Sequence, residues 1–237
     1  MYARSAQFYD PLYRAMGKDY GAEARRVREI VEARKRAVGN VLLDAACGTG
    51  LHLQYLREWY DCEGIDVDRA MLSIAATRVP DVRLHCMDMI GFHLDRKFDA
   101  IVSLFGSIGY LPNAGRLDQV VRDMGRHLNP GGVVIVEPWI APEKWEDGLV
   151  QALFVDEPDL KISRMSVSRR DGNISILNFH YTIAQRDGIR TFTEPHRMTL
   201  FTDAEYRHAF EAAKLAVEFD PVGVNGRGLY IGVTPAA

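Results

Sequence analysis

Short apolar runs alternate with amphipathic segments over the first 138 residues of the chain. Apolar runs predict strands at residues 41–45, 82–85, 99–105 and 133–136, with another strand ending at 64–66. Helical spacing predicts helices over residues 19–38 and 68–78. A third helix is predicted by the apolar stripe Leu117, Val120, Val121, Met124 and Leu128, and the motif NPGG at 129–132 is expected to end it. Strands that are apolar throughout and alternate with helices predict an α/β fold with a doubly wound, mostly parallel sheet.

The pattern changes at about residue 150, where β-type alternation replaces helical spacing. Two β-rich segments, 162–168 and 174–183, flank the motif RDGN at 170–173, which is a strong hairpin signal. A further strand is expected at 189–201, then a capping box at 202–205 that opens a helix, and closing strands at 217–219 and 229–233. We therefore expect one domain over residues 1–237, with a helical or lid-like segment at 1–38 and an antiparallel β insert at 150–200 that covers the acceptor site.

Composition narrows the function classes. The chain has 237 residues, 47% of them hydrophobic, and a formal net charge of −3, so it has no basic field to favour nucleic acid or an anionic membrane. Its three cysteines suggest no disulfide framework, and no cluster has metal-ligand spacing. No signal peptide or membrane-length apolar run is visible, and a cytoplasmic location is expected.

Candidate chemistry follows three successive predicted strands. The motif DAACGTG at residues 44–50 is a strand-to-helix turn whose glycines permit close approach of a ligand, although an ordinary tight turn would have the same spacing. Asp66 ends the second strand and could accept hydrogen bonds from two ribose hydroxyls, and Asp88 follows the third strand. Leu53 stands where a dinucleotide-binding turn would have its third glycine, which counts against a pyrophosphate site.

The motifs DAACGTG at 44–50, GIDVD at 64–68, MDM at 87–89 and LNPGG at 128–132 resemble those of class I S-adenosylmethionine-dependent methyltransferases. The resemblance implies a Rossmann-like fold, S-adenosylmethionine as cofactor, S-adenosylhomocysteine as product, and no metal. It assigns Asp66 to the ribose and Asp88 to the adenine. The cofactor residues that it implies are Tyr9, Tyr20, Ala46, Gly48, Gly50, Asp66, Val67, Met71, Asp88, Met89 and Leu104.

The flanking motifs are more specific. FYD at 8–10, GKDY at 17–20, FGSIGYL at 105–111, EPW at 137–139 and GRGL at 226–229 resemble the nucleotide-sugar N,N-dimethyltransferases of antibiotic biosynthesis. That resemblance implies methylation of the amino group of a TDP-linked amino-deoxysugar, and a homodimer is possible. The substrate-binding residues expected from it are Tyr2, Tyr110, Trp139, Arg164 and Arg227.

Methylation of an amine is a direct displacement, so the residues around it need mainly to bind and orient. Tyr110 is the one catalytic candidate, and it is expected to orient the amine because a phenol with a pKa near ~10 is a poor base at pH 7. Arg227, then Arg164, would bind the diphosphate, and Trp139 would wall the sugar pocket. Each of these residues could instead have a structural role. Tyr110 could be a half-buried ring whose hydroxyl has its hydrogen bond within the protein. The arginines could form surface salt bridges, and Trp139 could be a core ring.

Three other functions remain open from the residues. The acceptor could be another small amine or hydroxyl, the chain could be a nicotinamide-dependent oxidoreductase, or it could bind the cofactor without catalysis. Tyr2, Tyr9 and Tyr20 could form a lid or pack on the core. His180 and His196 fall on insert strands and are left out of the catalytic set, because a lone histidine in a strand is more often structural.

Overall fold

The computed structural model describes residues 4–236 and contains two β-sheets. Its strands are β1 Val41–Ala45, β2 Asp61–Asp66, β3 Arg83–Cys86, β4 Phe98–Ser103, β5 Leu128–Val136, β6 Val150–Glu157, β7 Leu160–Asp171, β8 Ile174–Gln185, β9 Gly188–Thr199, β10 Ala216–Asp220 and β11 Leu229–Val233. The larger sheet has the order β10-β11-β5-β4-β1-β2-β3, with β1 to β5 parallel and β11 antiparallel to both neighbours. The predicted mostly parallel α/β sheet is confirmed.

The helices are α1 Tyr9–Ala15, α2 Tyr20–Arg34, α3 Leu51–Leu56, α4 Arg69–Arg78, α5 Ala114–Arg126 and α6 Asp203–Ala212. Helices α2 to α6 cover both faces of this sheet, whereas α1 contacts β6. Adjacent residues of β1 point to opposite faces, so Leu43 packs in one buried cluster with α5 and α6, and Leu42 packs in another with α2 and α3. The predicted capping box is present, since Thr202 and Glu205 exchange hydrogen bonds at the start of α6.

The second sheet is antiparallel, with the order β6-β7-β8-β9. Its β7–β8 hairpin turns between Asp171 and Ile174, where the sequence predicts a hairpin. A third buried cluster joins this sheet to the N-terminal segment, because Phe8 and Leu12 pack against residues of β6 to β9. The second sheet therefore lies against α1, and the antiparallel insert is confirmed.

The motif NPGG at 129–132 differs from the prediction. It was expected to be a turn that ends a helix, but it lies inside β5, and α5 has already ended at Arg126. The pairing of β4 with β5 shifts between Phe98 and Ala100, so the extra residues form an irregularity in the strand. Gly131 fits there because its φ is +73° and its carbonyl accepts the N–H groups of Arg36 and Ala37.

Candidate active site

A cavity of about 410 Å³ lies where the parallel strands end, between that edge, α1 and the second sheet. This volume is typical of a small-molecule site. Its lining includes twelve of the predicted site residues, namely Tyr9, Ala46, Gly48, Asp66, Val67, Met71, Asp88, Met89, Tyr110, Trp139, Arg164 and Arg227. Residues from both predicted groups, for cofactor and for acceptor, thus face one space.

The two glycines of the turn after β1 have different surroundings. Both are left-handed, with φ of +55° at Gly48 and +75° at Gly50. A Cβ on Gly48 would meet nothing within 4 Å, and this glycine faces the cavity. A Cβ on Gly50 would lie 3.1 Å from the Cβ of Ala75 in α4, so this position serves the packing of α3 on α4.

Asp66 is held by the turn that it faces. The Gly48 N–H donates to its Oδ2 at 2.8 Å, and the Asp68 N–H donates to its Oδ1 at 2.8 Å. Burial raises the pKa of this carboxyl above its usual value. Each carboxylate oxygen has a second lone pair, so Asp66 can still accept a hydroxyl on each. One strand farther along, Asp88 accepts the N–H of Ile90 at 2.9 Å and also faces the cavity.

Three of the predicted site residues that the structure describes do not line the cavity, and a fourth, Tyr2, lies outside the described range. Tyr20 is buried edge-on against His52, with their ring centroids 4.9 Å apart, and Leu104 is buried in the core. Gly50 packs against α4, as described above. Phe105, which follows Leu104 in the chain, does line the cavity. Contacts of these four residues with a cofactor or substrate stay predictions.

Lys18, Glu23 and His52 form a buried polar cluster near the predicted cofactor residues. Lys18 donates to the Oε2 of Glu23 at 2.6 Å, and the Nε2 of His52 lies 2.8 Å from that same oxygen. Burial lowers the pKa of Lys18, although Glu23 opposes the shift. Asp44 is buried too, and its Oδ2 has no hydrogen-bond partner within residues 4–236; burial raises its pKa to about 7.

Helix α1 is attached to the glycine turn through Asp10. The hydroxyl of Thr49 donates to Asp10 Oδ1 at 2.7 Å, and Arg78 donates both to Asp10 and to the carbonyl of Thr49. The preceding residue, Tyr9, and Tyr13, one turn after Tyr9, both face the cavity. Asp10 therefore fixes the helix that places two aromatic rings over the site.

Trp139 and Arg227 form one wall on the acceptor side. The indole N–H of Trp139 donates to the Ser175 hydroxyl at 3.0 Å, which fixes its ring. The guanidinium carbon of Arg227 lies 5.0 Å from the Trp139 ring centroid and 5.1 Å from that of Phe105. Its Nη1 is buried 3.8 Å from Glu137 Oε1 and makes no hydrogen bond within the described chain. Arg227 is thus oriented by Glu137 and retains donors for an anion.

Arg164 also lines the cavity, and it stands on strand β7. Its guanidinium carbon lies 4.4 Å from the Phe179 ring centroid and 5.6 Å from that of Tyr13. No carboxylate of residues 4–236 lies within 4 Å of it, whereas Glu137 partly offsets the charge of Arg227. Arg227 therefore has an ion-pair partner in Glu137, and the binding of an anion by Arg227 and by Arg164 stays a prediction.

His196 was omitted from the sequence-predicted set but lies in this cavity. Its Nδ1 is 2.5 Å from the hydroxyl of Tyr110, from which it is 86 positions distant in sequence. The histidine is 2% exposed, and Glu194 on the same face of β9 lies beyond it. A signal was present in the sequence, because period-two alternation places Glu194, His196 and Met198 on one face of the predicted strand.

The helices within residues 4–236 all lack the combination of length and hydrophobicity that a membrane span requires. The same residues contain no group of three or more histidine, cysteine, aspartate or glutamate side chains that could hold a metal ion.

The chain is similar to proteins of known activity. Residues 42–132 match a family described as a methyltransferase domain. The chain is 44% identical to the dTDP-3-amino-3,4,6-trideoxy-alpha-D-glucopyranose N,N-dimethyltransferase of Streptomyces venezuelae over 96% of this chain and 97% of that one. It is 41% identical to the dTDP-3-amino-3,6-dideoxy-alpha-D-glucopyranose N,N-dimethyltransferase of Streptomyces fradiae over 98% and 91%, respectively.

Solved structures give the same result. The crystal structure of DesVI from Streptomyces venezuelae superposes with a TM-score of 0.93 at 43% identity and covers 99% of both chains. The S-adenosylmethionine-bound structure of CalS10, an amino pentose methyltransferase from Micromonospora echinaspora involved in calicheamicin biosynthesis, gives 0.87 at 36% identity over 95% of this chain and 96% of that one. The chain therefore belongs to the amino-sugar N,N-dimethyltransferase family, within the class I S-adenosylmethionine-dependent N-methyltransferases.

Proposed function

We propose that this enzyme methylates the amino group of a dTDP-linked amino-deoxysugar twice. The observation that carries the proposal is the single cavity described above. Asp66 and Asp88 lie on one side of it, Trp139 and Arg164 lie on the other, and Tyr110 also lines it. The proposed sites for the nucleoside-containing methyl donor and for the anionic acceptor would then share one space, as a direct transfer requires.

The cofactor side fits S-adenosylmethionine in its polar groups and in its open backbone. When bound, this cofactor supplies a methyl group on a positively charged sulfur. Asp66 would accept both ribose hydroxyls, and Asp88 would accept the amino group of the adenine. Gly48 leaves room for close approach, since a Cβ there would point into open space. Val67, Met71 and Met89 would pack around the base and ribose.

The acceptor side fits a sugar that carries a diphosphate. Arg164 and Arg227 would bind the phosphates, because a guanidinium donates paired N–H groups to phosphate oxygens. Trp139, fixed by Ser175, would wall the sugar. Tyr110 would hold the amine in line with the methyl group. Residues 150–200 would cover the acceptor, and residues 1–38 would act as a lid.

Two further expectations from the sequence stay predictions. They are the homodimer and the cytoplasmic location.

Mass spectrometry of the products tests the proposal directly. The purified enzyme is incubated with S-adenosylmethionine and separate dTDP-3-amino and dTDP-4-amino sugars, and mass gains of one and two methyl groups are recorded. The matched controls are the same amino sugars without dTDP and the corresponding hydroxy sugars with dTDP. Dimethylation of a dTDP-amino sugar alone is expected. Equal turnover of the free amino sugars, or methylation of the hydroxy sugars, would refute the proposed acceptor.

A further inference from the structure

Helix α1 connects the two sides of the candidate site. At its N-terminal end, Asp10 bonds to the turn after β1, where the cofactor is expected. At its C-terminal end, the ring centroid of Tyr13 lies 5.6 Å from the guanidinium carbon of Arg164. The sulfur of Met16, directly after the helix, lies 3.9 Å from Nη2 of the same arginine. One short helix therefore contacts both the glycine turn and a residue that is proposed to bind the acceptor.

Three side chains form the attachment of α1 to the turn, and we call them the Asp10 network. Asp10 accepts the hydroxyl of Thr49 on Oδ1 at 2.7 Å and Nη2 of Arg78 on Oδ2. Arg78 is the last residue of α4, and its Nη1 donates to the carbonyl of Thr49. The side chains of Asp10 and Arg78 are only 15% and 19% exposed, so salt screens this ion pair less than one on the surface.

The Asp10 network lies behind the cavity wall. Asp10, Thr49 and Arg78 do not line the cavity, whereas Tyr9, which precedes Asp10, and Gly48, which precedes Thr49, both do. A substitution in the network can therefore affect a bound ligand only through the positions of α1 and of the turn.

Helix α1 depends on such attachments for its position. It has seven residues, and isolated helices shorter than about 12–15 residues are marginal in water. On its other side, Phe8 and Leu12 pack in a buried apolar cluster with the second sheet. Arg14 and Glu157 add an exposed ion pair to β6. Without the Asp10 network, α1 would keep its apolar packing on the second sheet and lose its hydrogen bonds to the turn.

We propose that Asp10 is a positioning residue for both ligands, because the Asp10 network holds α1 in the placement that both ligands require. The inference rests on the proposed function, in which the cofactor lies along Gly48 and the acceptor phosphates bind Arg164. In this placement Tyr9 and Tyr13 line the cavity, and Tyr13 lies beside Arg164. Each ligand then gains contacts that it would lack if α1 moved away from the turn.

This arrangement links the two ligands thermodynamically. If only a fraction of the molecules has α1 in place, the apparent Kd of each ligand rises by the inverse of that fraction. A first bound ligand holds α1 in place and removes this penalty for the second. In the wild type the network holds α1, so the linkage should be weak. Without the network, both ligands should bind more weakly by the same factor, and each should restore the affinity of the other.

The variant Asp10→Asn tests this linkage, because it keeps the size of the side chain and removes the negative charge opposite Arg78. Glu157→Gln is the matched control, since it makes the same chemical change in the exposed ion pair of α1 with Arg14. Isothermal titration calorimetry measures the Kd of S-adenosylhomocysteine and the Kd of dTDP, each alone and with the other at saturation. Because dTDP lacks the amino sugar, it does not carry the group that would meet the cofactor.

The expected result is a loss of affinity that the two ligands share. Asp10→Asn should raise the Kd of each ligand alone by roughly 10-fold, since a hydrogen bond between charged groups changes an equilibrium by about that factor or more. The two factors should agree within about twofold. With one ligand at saturation, the Kd of the other should return to within about twofold of the wild-type value. Glu157→Gln should match the wild type, because exposed ion pairs contribute little.

A second variant removes the network from the side of α4. Arg78→Met should weaken dTDP binding as well, although the proposed phosphate ligand Arg164 stands on β7, three strands after the parallel part of the sheet. The double variant of Asp10→Asn and Arg78→Met should weaken dTDP no further than the stronger single variant, because both changes break the same ion pair. If Asp10→Asn does not fold, Arg78→Met is measured with both ligands in the same way.

Several results would overturn the inference. Weaker binding of S-adenosylhomocysteine with an unchanged Kd of dTDP would show that Asp10 acts on the turn alone. Losses for both ligands that neither ligand restores would indicate general damage to the structure, and wild-type Kd values in Asp10→Asn would show that α1 needs no such attachment. If dTDP does not bind the wild type under either condition, the proposed acceptor fails and the inference fails with it.

Discussion

Replacing Asp66 by alanine should weaken binding of S-adenosylhomocysteine, because the carboxylate is expected to accept both ribose hydroxyls. The same carboxylate also accepts the N–H groups of Gly48 and Asp68. A simple loss of affinity would therefore combine a lost ligand contact with a loosened turn. The two effects separate when the ligand is changed as well as the protein, with an S-adenosylhomocysteine analogue that lacks the 2′ and 3′ hydroxyls.

The size of the effect follows from the number of hydrogen bonds to a charged acceptor. Each such bond contributes about 1.5–3 kcal/mol, so two bonds in a partly buried site should give a coupling of at least about 3 kcal/mol. That corresponds to roughly 150-fold in Kd. The raised pKa of Asp66 adds a pH dependence: as pH falls through this pKa, the carboxyl gains a proton and an acceptor is lost, so affinity should fall at a higher pH than an ordinary aspartate would give.

Isothermal titration calorimetry of the four combinations measures this coupling. Wild type should lose about 150-fold in affinity when the hydroxyls are removed from the ligand, whereas Asp66→Ala should discriminate little between the two ligands. If the two proteins discriminate equally, within about 0.5 kcal/mol, Asp66 does not bind the ribose. The carboxylate would then serve only to hold the glycine turn.

Three further predictions concern charge and packing. In urea unfolding, Asp44→Asn should gain up to about 3 kcal/mol more stability over the wild type at pH 8 than at pH 5, because the raised pKa of about 7 makes the wild type lose stability as pH rises toward 7. Equal effects of the substitution at both pH values would contradict this. Arg164→Met should raise KM for the dTDP-sugar by roughly 10- to 100-fold, with Arg169→Met on the same strand as control, and a change in kcat alone would argue against phosphate binding. Gly50→Ala should lower the free energy of unfolding by more than Gly148→Ala does. Both glycines are left-handed, but the new Cβ at position 148 would meet nothing within 4 Å, so that variant should lose only the left-handed cost of about 1–2 kcal/mol. Equal losses would show that the contact of the Cβ at position 50 with α4 has no effect on stability.

Most of the parallel sheet could be predicted because its strands are buried on both faces. The bounds of β1 and β11 agree with those expected from their apolar runs alone. Strand β6 was missed, since it lies at a sheet edge and exposes Val150 and Phe154, which blurs its alternation. The irregularity at NPGG could not be predicted from the local sequence either, because it depends on pairing with β4 and on hydrogen bonds from the backbone after α2.

The candidate site could also be predicted only in part. Gly48, Asp66 and Asp88 follow strands directly, so their meeting at one sheet edge could be predicted from order along the chain. His196 could not be paired with Tyr110, because only the packing of the second sheet on the first brings them together. Tyr13 was within reach of the sequence, since it lies four residues after Tyr9 and hence on the same side of α1.

The two halves of the cavity come from separate stretches of chain, and this has an evolutionary consequence. Apart from Tyr2 and Tyr110, the predicted cofactor and acceptor sets divide at about residue 111. If the acceptor binds as proposed, substitutions in β7 to β9 would alter which acceptor fits while the parallel sheet and its turn keep their own hydrogen bonds. A transplanted insert must match its host where Thr199 donates to the Leu111 carbonyl at 2.6 Å and where Trp139 donates to Ser175. Those junctions limit how freely the family can recombine its specificities.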